Sequence, residues 1–540
     1  MKPRLLHPDR ELGPAPPPDP ACADLVQDLH VETVVAAMAD GDRFLADVSR
    51  RVLLASLADP AEIGFRQEIL ADCVAHPEAV RAFYDVAVAA IEDRKEVWGW
   101  IFGSSSSPAV TLSSAIRQLE AAVPRLRQLR ALASDHQASF ASPGLTRLCA
   151  EVISELDDEY FAAVRYHLAR LRFRDGYLLS ARLDWDNSGK DYALRSPAKG
   201  GGRWRRHLGR SGAEVYSFSV HPRDEAGGQA LGALTERGIN QVADALGRSS
   251  DHVAAYFDAL RAELGFYVGC LNLRARLEAV GQATCTPVPA PPASRRLDAD
   301  GLCDAALALR SGGEVVGNRL DADGRPLVVV TGANSGGKST FLRSVGLAQL
   351  MMQSGMFVTA RSFSAAVCDG LYTHFIREED ESMESGRFDE ELARLSVIVD
   401  RLRPGSVVLF NETFAGTNEH EGSEIARQVV AALLEAGVRV LFVTHQFDFA
   451  DSCGRLWPDT VFLRAERGRD GRPDYRLRVA PPAPTSFGED LYRTVGGWLG
   501  EEPPPATGER APAEVRALPT RAGPCRMQPP PPAPSRPRRR

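Results

Sequence analysis

The stretch TGANSGGKST, Thr331 to Thr340, sets three glycines and a lysine followed by the hydroxyls of Ser339 and Thr340 directly behind the apolar run LVVV. From Gly332 to Ser339 it fits G-x-x-x-x-G-K-[ST], a loop that cradles phosphates. Gly332, Gly336 and Gly337 permit backbone conformations and a close approach that a Cβ would block. The amides from Ala333, Asn334 and Ser335 round to Thr340 then turn inward, at the positive end of the following helix, and meet phosphate oxygens. Lys338 reaches the β- and γ-phosphates, and Ser339 supplies an oxygen to Mg²⁺. The context supports the fit, because a buried strand precedes the loop and the helical run STFLRSVGLAQLMMQ follows it.

A second group stands in VVLFNET, where four apolar residues form a strand and Asn411-Glu412 sit at its carboxyl end. A phosphate-loop enzyme commonly has Asp then Glu here, the first for the metal's water shell and the second for the attacking water. Asn411 keeps a hydrogen-bonding oxygen and loses a unit charge. A charge-assisted bond is worth roughly 1.5–3 kcal/mol against about 1 for a neutral one, on the order of tenfold in metal affinity. Glu412 is intact, so hydrolysis is expected to survive, slower or with a higher Mg²⁺ requirement. In VTHQ, His445 stands at the end of a third strand, where an imidazole can sense a γ-phosphate.

Positioning these groups requires an α/β unit. From Leu327 onward the short strands LVVV, SVVLF and VRVLFV alternate with helical stretches, which predicts a largely parallel sheet. Before it, Leu25 to Val280 reads as mainly helical. The first run is expected to stop at Asp59-Pro60. Val242, Leu246, Val253, Phe257, Leu260, Leu264, Val268 and Leu271 form the stripe of one long helix, or of two joined near Gly247. YLLSARLDWDNSGKDYALRSP predicts strand, turn and strand, with the bend at Asn187-Ser188-Gly189 and a third strand in AEVYSFSV. Between them lie Lys199, Arg203, Arg205, Arg206 and Arg210 around Trp204, either a solvated loop or a set of contacts to nucleic-acid phosphates.

Bulk properties bound the rest. The chain of 540 residues has room for two or three domains, and 44% hydrophobic with 25% charged residues is a globular composition. The net charge is -7, but the stretch from Glu501 holds eight Arg against four Glu, +4, so the remainder carries -11. An acidic body does not attract nucleic acid in general, and any such binding must use local patches. The nine cysteines form no CxxC pair and no zinc-ligand spacing, which predicts a reduced, cytoplasmic chain without structural zinc. The N-terminal residues, rich in proline, are expected to be loose. They lack the apolar run of a signal peptide, and no run approaches the roughly 18 apolar residues that span a bilayer, so no membrane partner is expected.

TGANSGGKSTFLRSVGLAQLMMQSGMFVTA resembles the ATPase domain of the MutS-type mismatch-repair family, with Ala333, Ser335 and Thr359 where that family commonly has Pro, Met and Pro. FNETFAGTNEHEGSEIA is similar to the family's next motif, with Gly416-Thr417 and Gly422 in register. SGRFDEEL resembles its STF-x-x-E signature through Phe388 and Glu391, while Gly386 and Arg387 replace Ser-Thr and a serine is offered only from Ser385. More loosely, SLADPAEIGFRQEILADC and FYVGCLNLRARLEAVGQATCTPV resemble the family's helical core. The resemblance implies an α/β P-loop NTPase domain, ABC-like with a mainly parallel sheet, preceded by a mainly α-helical core or lever domain with a small β insert. The implied layout is a disordered N-terminus over 1–20, the helical domain over 21–290, the ATPase domain over 291–500 and a disordered Pro/Arg-rich tail over 501–540. Residues 177–223 stand where the family inserts its DNA clamp, and no mismatch-reading domain is expected before the helical core.

The resemblance further implies ATP and Mg²⁺ as cofactors, a homodimer closing over two nucleotides, and duplex DNA as partner. In such dimers the signature faces the partner's γ-phosphate. Arg387 then acts as an arginine finger or pairs at the surface with Glu384 or Asp389. Three functions are expected to compete: an ATP-driven DNA clamp of mismatch repair, an ATP-switched protein-interaction module, and, because of Asn411, a nucleotide-binding pseudoenzyme.

Overall fold

The computed structural model describes residues 1–13, 19–99, 107–173, 176–186, 189–195, 219–377, 387–414, 418–467 and 473–483, all within one unit, Met1–Gly488. The basic segment with Lys199, Arg203, Trp204, Arg205, Arg206 and Arg210, the strand expected at AEVYSFSV up to Phe218, and the tail from residue 501 lie outside the described residues.

Among the described residues, eight helices fill the stretch 20–171. Their starts are written locally. Asp19, Asp42, Asp59 and Asp157 each accept a hydrogen bond from an amide of the helix they precede. Pro20, Pro60, Pro108 and Pro143 open helices at the position where a missing N–H costs nothing. Asp59-Pro60 therefore starts the helix Pro60–Ala75 and is not merely a stop. The run before it is three helices, Pro20–Asp28, Val31–Ala39 and Arg43–Leu54, separated where His30 and Asp40 take left-handed backbone conformations.

Strands β1 (Leu179–Leu183) and β2 (Gly189–Leu194) form the expected antiparallel hairpin. One unbroken helix follows, Glu225–Ala279, 55 residues long. Gly247 does not divide it: a Cβ there would touch only Thr111, at ordinary contact distance. From Glu263 to Leu271 every residue of this helix is buried, so here it passes through the core with neighbours on all sides. Helices Pro77–Gly99 and Pro108–His136 pack along it.

The six-stranded sheet has the order β12-β11-β6-β10-β9-β8, with β6 Leu327–Gly332, β8 Leu371–Phe375, β9 Val407–Asn411, β10 Arg439–Val443, β11 Val461–Arg467 and β12 Pro473–Val479. All neighbours run parallel except β12, which is antiparallel to β11. Alternation along the strands serves two cores. Val328, Val330, Leu409, Leu441 and Val443 join the large cluster that continues into the helical part. Leu327, Val329, Val408, Phe410, Val440 and Phe442 face a second cluster under helices Glu419–Glu435 and Phe447–Leu456. A four-stranded sheet, β3-β7-β4-β5 (Val288–Ala290, Ser362–Ala366, Leu297–Leu302, Asn318–Asp321), lies in the same unit.

The N-terminus departs from expectation. Proline content predicts a loose segment, yet Leu5 and Leu6 are fully buried. Both of their amides donate to the Glu263 carboxylate, and the Tyr267 hydroxyl donates to Leu5 O at 2.7 Å. Arg66 donates to Leu6 O at 2.7 Å and to Ser354 O, just past the phosphate-loop helix, at 3.2 Å. Two leucines supply apolar surface, and buried side chains satisfy the backbone that a proline-rich segment cannot pair with itself. Among the described residues, no helix is long and apolar enough to cross a membrane.

Candidate functional site

The glycine loop leaves the carboxyl end of β6 at the centre of the sheet and ends on helix Lys338–Gln353. Gly332 has φ +107, and a Cβ there would lie 2.3 Å from the backbone oxygen of Ala465 on β11. Gly337 caps the helix at φ +90, and Ser335 turns the loop at φ +60. The helix amides ahead of Phe341, which donates to Gly337 O at 2.9 Å, have no partner within the helix and offer themselves to an anion. Beside them opens a cavity of about 510 Å³, lined by Ser335 to Phe341, by Glu412, and by Leu307, Val315, Val316, Asn318 and Tyr475 among others.

Lys338 is 4% exposed. Its ammonium donates to Gly332 O and Ala333 O, both at 3.0 Å, so the side chain is folded back along its own loop. Burial pulls its pKa down, while the nearby Glu412 charge opposes that shift. Ser339 Oγ donates to Asn411 Oδ1 at 2.7 Å, which brings the two oxygens expected beside a metal into contact. Both are neutral and hard, and Glu412 supplies the carboxylate next to them, a donor set that fits Mg²⁺.

Glu412 lines the cavity at φ +55, and its amide donates to Val443 O at 2.9 Å. Phe414, two residues on, has φ +63. A buried brace fixes this turn. Glu391 Oε1 accepts from Phe414 N at 2.7 Å, and Thr413 Oγ1 donates to His374 O at 2.9 Å. His374 Nε2 lies 3.0 Å from Glu391 O. A carbonyl only accepts, so Nε2 carries the imidazole proton and Nδ1 faces Thr413 Oγ1 at 3.2 Å.

Burial lowers the His374 pKa to about 4. The unfolded chain, near 6.5, takes up a proton between those values that the folded chain refuses. Stability is therefore full above pH 6.5 and falls as the pH drops toward 4, by about 2 kcal/mol between pH 7 and pH 5 from this residue. Melting temperatures at both pH values should differ less in His374→Gln than in the parent; an equal difference would show that His374 is not the group responsible.

A family model described as "MutS2 N-terminal domain" matches residues 58–280, and one described as "MutS domain V" matches residues 328–456. The chain belongs to the MutS family. The DNA mismatch repair protein MutS of Porphyromonas gingivalis is 33% identical over 181 residues, 33% of this chain and 20% of that protein. MutS of Thermus aquaticus is 34% identical over 184 residues, 34% of this chain and 22% of that protein. The DNA mismatch repair protein MutS 2 of Halobacterium salinarum is 33% identical over 177 residues, 32% of this chain and 20% of that protein. The chain thus spans about a fifth of the length of these curated relatives.

Within this MutS-family chain Ser335 to Thr340 and Glu412 line one cavity, Asn411 joins them through its bond to Ser339 Oγ, and Gly332, Ala333 and Asn334 do not line it. His445 follows the end of β10 and is exposed, but it does not line that cavity. The signature residues separate. Phe388 is half-buried against the second core, and Glu391 is buried with its carboxylate on Phe414 N. Glu391 therefore supports the Glu412 turn from within. Ser385 and the side chain of Arg387 lie outside the described residues. Sequence reasoning missed His374, Asn318 and Tyr475, because no motif carries them and distant strand pairing alone brings them to the site.

Proposed function

We propose that this chain binds ATP in the cavity at the end of β6, hydrolyses it, and uses the cycle to control duplex DNA binding as a homodimer. The observation that carries the reading is the buried Lys338 ammonium resting on the carbonyls of Gly332 and Ala333. Carbonyls of its own loop are weaker acceptors than a phosphate oxygen, so the lysine is poised to exchange them for the β- and γ-phosphates. The helix-start amides from Lys338 to Thr340, without partners within the helix, hold the remaining phosphate oxygens, and Ser339 and Asn411 would hold Mg²⁺. When bound, Mg²⁺ neutralises charge on the phosphates. Glu412 orients the attacking water and accepts its proton. His445, at the tip of β10, is the γ-phosphate sensor in the closed dimer, and Arg387 serves the partner's nucleotide across the interface.

Mismatch-repair activity is the extension of this reading, because the curated relatives are DNA mismatch repair proteins. One observation favours an ATP-switched protein-interaction module instead. On the hairpin, Lys190 is paired with Asp184 at 2.8 Å and Arg182 with Asp191 at 3.8 Å, while Trp185 is 92% exposed. Self-neutralised charges beside a bare indole suit a protein surface better than a phosphate backbone.

Gel-shift titration of duplex DNA with and without Mg-ATP separates the two. The clamp requires an ATP-dependent shift that weakens steeply with salt. No shift at low salt in a chain that takes up ATP assigns the module, and no ATP uptake in calorimetry removes both.

A further inference from the structure

Phe414 is held at both ends of its backbone. Its amide donates to Glu391 Oε1 at 2.7 Å, and its carbonyl accepts from Gln446 Nε2 at 3.3 Å. The residue is fully buried at φ +63, a left-handed conformation that a bulky side chain keeps only where its surroundings over-determine it. Glu391 lies on helix Arg387–Val399, and Gln446 follows β10 directly after His445. Two elements distant in sequence thus grip the turn that carries Glu412.

Packing alone does not call for a glutamine here. Gln446 caps helix Phe447–Leu456, yet its side chain makes no capping bond to that helix and turns to Phe414 instead. It is buried, and its Oε1 has no partner among the described residues. A methionine of similar length would leave no such orphan oxygen. The Gln446 amide donates to Thr444 Oγ1 at 3.0 Å, which anchors the residue to the loop after β10. A third element closes over the contact: a Cβ on Gly422, in helix Glu419–Glu435, would lie 2.3 Å from Phe414 O and 2.8 Å from Gln446 Nε2. Gln446 does not line the nucleotide cavity, so it reaches the site only through this turn.

Resting on the hydrolysis reading above, we propose that Gln446 is a positioning residue for Glu412: through Phe414 it ties the loop that carries His445 to the turn that carries the base. The attacking water is then activated only when that loop is in place. A misplacement of about 1 Å costs on the order of a hundredfold in rate, so a bond that sets this turn acts on turnover and not on nucleotide uptake.

Single-turnover phosphate release and calorimetric Mg-ATP uptake on the full chain test this. Gln446→Met should release phosphate roughly tenfold to a hundredfold more slowly, with ATP uptake within a few-fold of the parent. Gln446→Leu should behave alike and serves if the methionine variant does not fold. Placed on Glu412→Gln, either substitution should slow release no further, because it acts through Glu412. A parental release rate in a folded variant, a parallel loss of ATP uptake, or a full second loss on Glu412→Gln would overturn the positioning role and leave the hydrolysis reading standing. A parent chain that takes up ATP and releases no phosphate overturns that reading, and the positioning role with it.

Discussion

Glu412→Gln should lower ATP turnover by roughly 10²- to 10⁴-fold and leave ATP affinity within a few-fold of the parent. The substitution keeps the shape of the side chain and one hydrogen-bonding oxygen, and removes the charge and the proton acceptor. The binding groups are elsewhere: the loop amides, the Lys338 ammonium and Ser339 Oγ make no hydrogen bond to the Glu412 side chain. Glu412 also supports the charge of Lys338 against the pull of burial, which makes a few-fold loss in affinity reasonable. Single-turnover phosphate release and calorimetric ATP uptake together check the prediction. A variant that releases phosphate as fast as the parent would show that another group handles the water, and one that no longer takes up ATP would make Glu412 a binding residue.

Arg66→Ala should cost about 3–5 kcal/mol of stability, the size expected when one member of a buried ionic network is removed. Arg66 is 1% exposed and burial lowers its pKa, so its charge survives there only because the surroundings are arranged for it. Its guanidinium donates to Leu6 O and Ser354 O and lies 3.1 Å from His7 Nε2. Truncation to Ala leaves those acceptors without their donor and the negative charge of Glu263 less balanced. Arg66→Met, which fills most of the volume without a charge, should recover part of the loss. Urea midpoints of the three proteins decide: a midpoint for Arg66→Ala within error of the parent would mean that the N-terminal segment adds nothing to the fold.

Legibility in the sequence followed locality. Gly332 to Thr340 could be read because the loop, its lysine and its hydroxyl are contiguous, and Asn411-Glu412 because they end an apolar strand. The helix Glu225–Ala279 was visible in its spacing, though Gly247 left its continuity open until packing beside Thr111 settled it. Glu391 matches a signature that implies an outward face, yet it is buried, because a motif gives position and not burial. The Asn318–Tyr475 contact joins residues 157 apart, and the bond of Leu5 to Glu263 spans 258. Periodicity and composition carry no information over such separations, so proline content misled where two leucines decided.

The helix Glu225–Ala279 is gripped on every side from Glu263 to Leu271, close to its carboxyl end, and extends from there to Glu225. At 1.5 Å per residue that portion measures roughly 57 Å, and helices Pro77–Gly99 and Pro108–His136 pack along it. A pivot of about five degrees inside the grip, carrying those two helices with it, displaces the far end by roughly 5 Å. The rod thus has mechanical gain: sub-ångström adjustments at its root become travel of several ångströms at its tip.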